Sequence, residues 1–348
     1  MANTLTIDAS AMNGVNLTTW INEYFAQFTT ASTAFYGGTP DSAYGGTYYM
    51  NGSQVLATLN ELVDETATPT DSGVLIEGSD IAYDFMHYGS SYGHGISGSI
   101  DSLTFGTWID GTTTGTRGIG AEGEITGYDA SLIIDGFDVS AAAGAGTDTT
   151  TNATYEIYSA IRNLDADALE AVMERYALEV YGSSGDDTID GFAFDDVLIG
   201  GAGNDSLLNS QGADLMLGGL GRDTILGGYG ADSLQGGAGA DLIIGNQGAD
   251  VILGGAGADT LRGGLGMDTV TGGAGADTFE IVPGGARDTI TDFTVGTDVL
   301  DVSALGVDSL SDFAIRTNET GVELRLDTVR IQLDGVSAAE LTNDIFVF

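Results

Sequence analysis

Two rhythms of apolar and polar positions divide the chain near residue 180. Before that point the spacing is helical or alternating. Residues 17–28 place Trp20, Tyr24 and Phe28 at i, i+4 and i+8, an amphipathic helix. Residues 51–63 place Val55, Leu59 and Leu62 on one face of a second helix. Asp167, with Glu170 three residues on, has the form of a capping box opening a third helix that buries Leu169, Met173 and Tyr176. Residues 79–86, 97–109 and 123–140 read as strands. The mixture predicts an α+β domain over residues 1–180, with a sheet and several helices.

From Gly182 the rhythm changes to a strict nine. The chain runs without a gap as GSSGDDTID, GFAFDDVLI, GGAGNDSLL, NSQGADLML, GGLGRDTIL, GGYGADSLQ, GGAGADLII, GNQGADVIL, GGAGADTLR, GGLGMDTVT and GGAGADTFE. The sixth position is always Asp: Asp187, Asp196, Asp205, Asp214, Asp223, Asp232, Asp241, Asp250, Asp259, Asp268 and Asp277. The eighth is always apolar, as at Ile189, Leu198, Met216, Ile243 and Phe279. Glycine at the first, second and fourth positions suits a tight turn with exposed carbonyls, and the apolar-centred triplet suits a short strand with its middle residue inward. Two nonapeptides then make one coil of an all-β parallel solenoid, a β-roll, over residues 181–281. A Gly- and Asp-rich disordered linker has no reason to keep the apolar eighth position.

Stacked coils bring Asp carboxylates of one edge about 4.8 Å apart, a repulsion of about 3 kcal/mol per neighbouring pair at an effective dielectric near 20. A cation must relieve it. Ca²⁺ takes six to eight oxygens, and carboxylates with turn carbonyls supply them. The nonapeptide resembles the calcium-binding repeat of RTX proteins, whose parallel roll it implies. With turns alternating between two edges and one ion between successive turns, about nine Ca²⁺ ions are the maximum. GFAFDDVLI and NSQGADLML depart from the glycine pattern, so their sites are expected to be partial or empty.

Composition sharpens this. The net charge is −42, and all nine basic residues are Arg. Nucleic acid and anionic membrane surfaces are not expected as partners, because phosphate recognition depends on Lys and Arg. There is no Cys, so neither a disulfide nor a thiolate site is available, and bound calcium takes the place of a covalent staple. Residues 282–348 are predicted to be a β-rich C-terminal cap on the open end of the roll. Their segment DTITDFTVGTDVLDVSALG resembles the tail that follows the repeats of secreted RTX proteases, and Asp344-Ile-Phe-Val-Phe348 is similar to the signal of type I secretion substrates. The start lacks a basic, then apolar, leader. The expectation is export through type I secretion machinery to the cell surface or medium.

Residues 1–180 resemble the secreted hemophore family of the haem acquisition system protein A type. The matches are Phe35-Tyr-Gly-Gly38, Asn51-Gly-Ser-Gln54, Ser97-Gly-Ser-Ile-Asp-Ser-Leu-Thr-Phe-Gly106, Tyr155-Glu-Ile-Tyr-Ser-Ala-Ile and Asp167-Ala-Leu-Glu-Ala-Val, in family order. The resemblance implies a curved antiparallel sheet with helices, capture of haem b and its delivery to an outer-membrane haem receptor. The iron-ligating Tyr of the family falls on Tyr83 and its supporting His on His94. His87 is the alternative, because the intervening loop is about three residues longer than the family's. The first haem loop, residues 27–35, has no His for the family's second ligand, leaving five-coordinate haem or Tyr36, Tyr44 or Met50 as candidates. Tyrosinate ligation near neutral pH needs the metal and a proton-accepting neighbour, and both His of the chain lie within eleven residues after Tyr83.

No enzyme is expected. A zinc protease of the RTX type needs three His, and the chain has two and no HExxH. One GxSxG occurs at Gly89-Ser-Ser-Tyr-Gly93, but His94 is the last His, so a hydrolase order with His far downstream is not met. The rival to haem capture is a calcium-ordered surface-layer, filament or matrix protein that self-assembles.

Overall fold

The computed structural model describes residues 4–12, 14, 16–28, 30–36, 51–63, 66–83, 96–112, 126–141, 153–284 and 286–348. They fall into two compact units, Met1–Ala11 with Thr19–Tyr176, and Met12–Thr18 with Ala177–Phe348.

The first unit is α+β. Its strands are β1 (Thr4–Asp8), β2 (Thr30–Tyr36), β3 (Asn51–Val63), β4 (Thr66–Tyr83), β5 (Ile96–Thr112) and β6 (Thr126–Ala141). They form an antiparallel sheet in the order β2-β3-β4-β5-β6-β1. Helix α1 (Leu17–Ala26) places Trp20, Tyr24 and Phe25 around Phe105 of β5, with ring centroids 5.4, 5.6 and 6.2 Å away. Helix α2 (Ala153–Asn163) packs against β2, β5 and β6 and carries Ile157 and Ile161 into the core. Helix α3 (Ala166–Met173) follows after Leu164, whose left-handed φ of 55° turns the chain.

Two sequence expectations change here. Residues 51–63 form the strand β3, not a helix. The even spacing of Val55 and Leu59 fits a period of two as well as a helical turn, and hydrogen-bonding neighbours on both sides settle the choice. The cap of α3 is Asp165 rather than Asp167, because the turn at Leu164 lets the helix begin at once. Its carboxylate accepts the Ala168 N–H at 3.1 Å. Leu169, Met173 and Tyr176 are buried as expected, Tyr176 just beyond the helix end, where its hydroxyl donates to the Phe137 carbonyl at 3.0 Å.

The second unit is a parallel β-roll. Strands such as Leu215–Leu220, Ser233–Ala238 and Val251–Ala256 stack on one face, and Thr224–Tyr229, Leu242–Gln247 and Thr260–Leu265 on the other. Each residue pairs with the one eighteen later, as in Ile225↔Ile243↔Leu261, which is two nonapeptides per coil. From Ile189 to Phe279 no eighth-position side chain is more than 4% exposed. They form the single apolar file between the two faces.

Both ends of the roll are covered within the unit. At the N-terminal end Asn16 bridges in parallel to Thr188, and the Gly14 N–H donates to Ser183 Oγ at 2.8 Å. At the other end Arg287–Ile290 pairs in parallel with Val329–Asp334. That strand turns back antiparallel onto Gly321–Leu326 and then Ala314–Thr317. Phe346–Val347 closes the opposite face against Val299–Asp301. The inward file predicts that Ile243→Ala lowers the unfolding free energy of the calcium-loaded roll by about 2–5 kcal/mol. Urea titration followed by circular dichroism measures it.

Candidate metal centre

The sixth-position Asp ends each turn two residues before the buried apolar side chain, so its carboxylate lies on the inner side of the coil edge. All eleven are no more than 2% exposed. In each coil pair, Oδ1 accepts the backbone N–H of the Asp one coil earlier: Asp187 N–H to Asp205 at 2.9 Å, Asp205 to Asp223 at 2.9 Å, Asp241 to Asp259 at 2.9 Å. The other edge repeats this from Asp196 to Asp268, starting where the Leu178 N–H donates to Asp196 Oδ1 at 2.7 Å. The result is two carboxylate ladders bound rung to rung.

The second carboxylate oxygen separates the rungs into two kinds. From Asp205 through Asp277, Oδ2 of all nine is buried with no hydrogen-bond partner. The first two rungs differ. Asp187 Oδ2 takes the Ser183 N–H at 2.6 Å and Asp196 Oδ2 takes the Phe192 N–H at 2.9 Å, each from the second position of its repeat. So GFAFDDVLI departs from the rest as its sequence suggests, and GSSGDDTID joins it. NSQGADLML does not, because Asp214 Oδ2 is left open like its neighbours.

Space around the open oxygens is kept by glycine. A β-carbon on Gly254 would lie 2.6 Å from Asp259 Oδ2. One on Gly257, with φ +147°, would lie 1.4 Å from the Gly239 carbonyl oxygen. The β-carbon on Gly254 would also lie 2.6 Å from the Gly272 carbonyl oxygen, so carboxylate and carbonyl oxygens flank that position with no side chain between. Among the described residues no three acidic or His side chains converge on one point. A cation held along the ladders takes its ligands from carboxylates of successive rungs and from turn carbonyls, the oxygen-rich, flexible set that suits Ca²⁺.

Burial without a counter-charge pushes these carboxyls up. Desolvation raises Asp214 and Asp288 to about 7, and Asp205, Asp250 and Asp259 to about 6. Backbone hydrogen bonds oppose the shift in each, and repulsion from the neighbouring rungs adds to it.

The ladders run further than the strict nine. The Asp268 N–H donates to Asp288 Oδ1 at 3.2 Å and the Asp277 N–H to Asp298 Oδ1 at 3.1 Å. Both new rungs are buried. Their spacing has slipped to 20 and 21 residues, which hides them from a period of nine. The surviving signal is the triplet of Asp, any residue, then a buried apolar one, at Asp288-Thr-Ile290 and Asp298-Val-Leu300. Of the haem candidates, Tyr83 is the last residue of β4 and Tyr36 the last of β2. His87, His94, Tyr44 and Met50 lie outside the described residues, as does Ser91 of the GxSxG segment.

A parallel roll with buried, unpaired carboxylates on both edges is a cation-binding solenoid. Residues 181–216, 217–252 and 244–279 match the family described as RTX calcium-binding nonapeptide repeat (4 copies), so the roll is an array of RTX calcium-binding repeats. No curated protein sequence matches the chain. Among solved structures, the extracellular lipase LipA from Serratia marcescens is 20% identical with a TM-score of 0.32, over 49% of this chain and 40% of the lipase. The AlgE6R2 subunit of the Azotobacter vinelandii mannuronan C5-epimerase is 35% identical with a TM-score of 0.32, over 36% of this chain and 91% of that subunit. The apo hemophore HasA from Yersinia pestis is 17% identical with a TM-score of 0.34, over 51% of this chain and 98% of the hemophore.

The raised carboxyls set a pH dependence for the metal-free roll. A carboxyl whose folded pKa lies above its unfolded value binds more protons in the folded state. Its stabilisation is full below the unfolded pKa near 4 and is lost as pH rises through 6 to 7. In chelator, the β signal in circular dichroism is expected to be larger at about pH 5.5 than at about pH 8. Equal spectra at the two pH values would contradict this.

Proposed function

We propose that the chain is a secreted protein whose roll folds on meeting calcium outside the cell and whose first unit captures haem. The observation that carries the calcium half is the set of nine buried Oδ2 atoms without partners. Asp205 through Asp277 would hold the ions with the turn carbonyls, whereas Asp187 and Asp196, whose second oxygens are bonded to backbone N–H groups, would contribute less. At sub-micromolar calcium the repelling ladders keep the roll open, and at millimolar calcium they close. That logic suits passage through type I secretion machinery as an unfolded chain. At about pH 8, where the ladders are charged, chelation is expected to abolish the β signal of the roll and leave the first unit folded; a spectrum indifferent to chelator at that pH would refute this.

The haem half is supported by the ordered family motifs in residues 1–180 and by the gathering of both His beside Tyr83. Tyr83 would ligate ferric iron as tyrosinate, with His94 or His87 accepting its proton, and an outer-membrane receptor would take the haem. Hemin added to the protein is expected to give a Soret shift that Tyr83→Ala removes. No shift, or a shift that survives Tyr83→Ala, would eliminate this half while leaving the calcium half intact.

A second reading, a calcium-ordered surface-layer, filament or matrix protein, is favoured by Leu215, Val251 and Leu253, which are exposed at 38%, 53% and 36% on strands of one face of the roll. Calcium-dependent sedimentation into large assemblies is its signature.

A further inference from the structure

The two edges of the roll differ in a way that calcium does not require. On the edge of Asp205 and Asp223, the third position of the turn is Ala at Ala202, Ala238, Ala256 and Ala274, with Ser184 and the exposed Leu220 as exceptions. On the other edge, after Ala193, the equivalent residues are Gln211, Tyr229, Gln247 and Leu265. They stack in register coil upon coil, Gln211 beside Tyr229, Tyr229 beside Gln247, and Gln247 beside Leu265.

A groove of about 460 Å³ runs along this edge, lined among others by Asn209, Tyr229, Asn246, Gln247, Arg262 and Leu265. Tyr229 also borders a second concavity beside Gln211. Its side chain is prominent, the residue being 58% exposed. Neither its hydroxyl nor the amides of Asn246 and Gln247 form hydrogen bonds with another described side chain or backbone group.

The backbone adds an independent sign. Asn246 has φ +71°, and it is the one non-glycine with positive φ among the described residues of the nonapeptides. Its neighbours in register are Gly228 and Gly264, with φ +97° and +111°. A side chain in that region costs about 1 kcal/mol, less for Asn than for most residues, and such strain is retained where a side chain has a task.

We propose that this edge binds a neutral oligosaccharide, laid along the roll with one sugar ring stacked on Tyr229. An exposed aromatic face offers an apolar surface to the C–H face of a pyranose, and flanking amides both donate to and accept from vicinal hydroxyls. The three coil spacings from Asn209 to Gly264 span about 14 Å, the length of a short oligosaccharide. Anionic ligands are disfavoured by a net charge of −42 and because Arg262 is already ion-paired with Glu280.

The test uses the calcium-loaded full chain and isothermal titration with cellotetraose, maltotetraose, mannotetraose and, as the acidic counterpart, tetragalacturonate. At least one neutral tetrasaccharide is expected to bind with a Kd of about 1 mM or below. Tyr229→Ala and Asn246→Gly each install a residue that other repeats already carry at that position, so the roll keeps its circular dichroism. Each is expected to weaken binding about tenfold. No binding by any neutral sugar up to about 10 mM, tighter binding of tetragalacturonate, or unchanged affinity in both variants would overturn the proposal.

Discussion

The unpaired carboxylate oxygen on successive rungs is the constraint on which the second unit depends. The same Asp does two opposed things. Through Oδ1 it ties its coil to the backbone of the coil before, and through Oδ2 it leaves a buried charge facing another of the same sign. The eighth-position side chains contribute roughly 1.5–3 kcal/mol each on burial, and the rung-to-rung repulsion of about 3 kcal/mol is of the same size. The apolar file therefore cannot decide by itself whether the roll is closed. The charge state of the ladders decides, and with only nine Arg against 51 acids in the chain neutralisation falls mainly to bound cations or protons.

Glycine makes that state reachable. At Gly254 and Gly257 the turn runs so close to a carboxylate and to the carbonyl of the previous coil that a methyl group would clash with them. Asp187 and Asp196 have their second oxygens satisfied by the Ser183 and Phe192 N–H groups instead, whereas Asp214 and Asp250, whose repeats carry Ser210 and Asn246 at that position, do not. The roll thus begins with two rungs that close without an ion and continues with nine that are left open. The contrast with the first unit is one of core type: Phe105 is surrounded by aromatic rings of α1, and burial there, among the described residues, involves no titrating ladder.

The roll was legible in the sequence because its local and global orders coincide. One nonapeptide gives half a coil, so the position in the repeat predicts burial, edge and pairing partner together, as Ile243 and Asp250 illustrate. Where the period slips, at Asp288 and Asp298, hydrogen bonding carries the ladder on and the spacing no longer reveals it. The first unit was readable only in outline. In β3 the apolar spacing satisfied both a helix and a strand, and pairing with β2 and β4, contacts distant in sequence, made the choice. At α3 a left-handed Leu164 moved the cap by two residues, a backbone event that propensity does not foresee. The unlike edges of the roll were present in the letters all along, but Gln211, Tyr229 and Gln247 look like scatter until the coils are stacked.

Because strands pair at an interval of eighteen, the roll has an arithmetic of its own for insertions and deletions. Loss or duplication of eighteen residues shortens or lengthens it by a coil and leaves every other residue on its own edge. Loss of nine preserves the motif at each position yet transfers everything downstream to the opposite edge, separating Tyr229 from Gln247 when it falls between them. Lineages that differ in length by whole coils keep the two-edged character of the roll, and those that differ by half a coil exchange it.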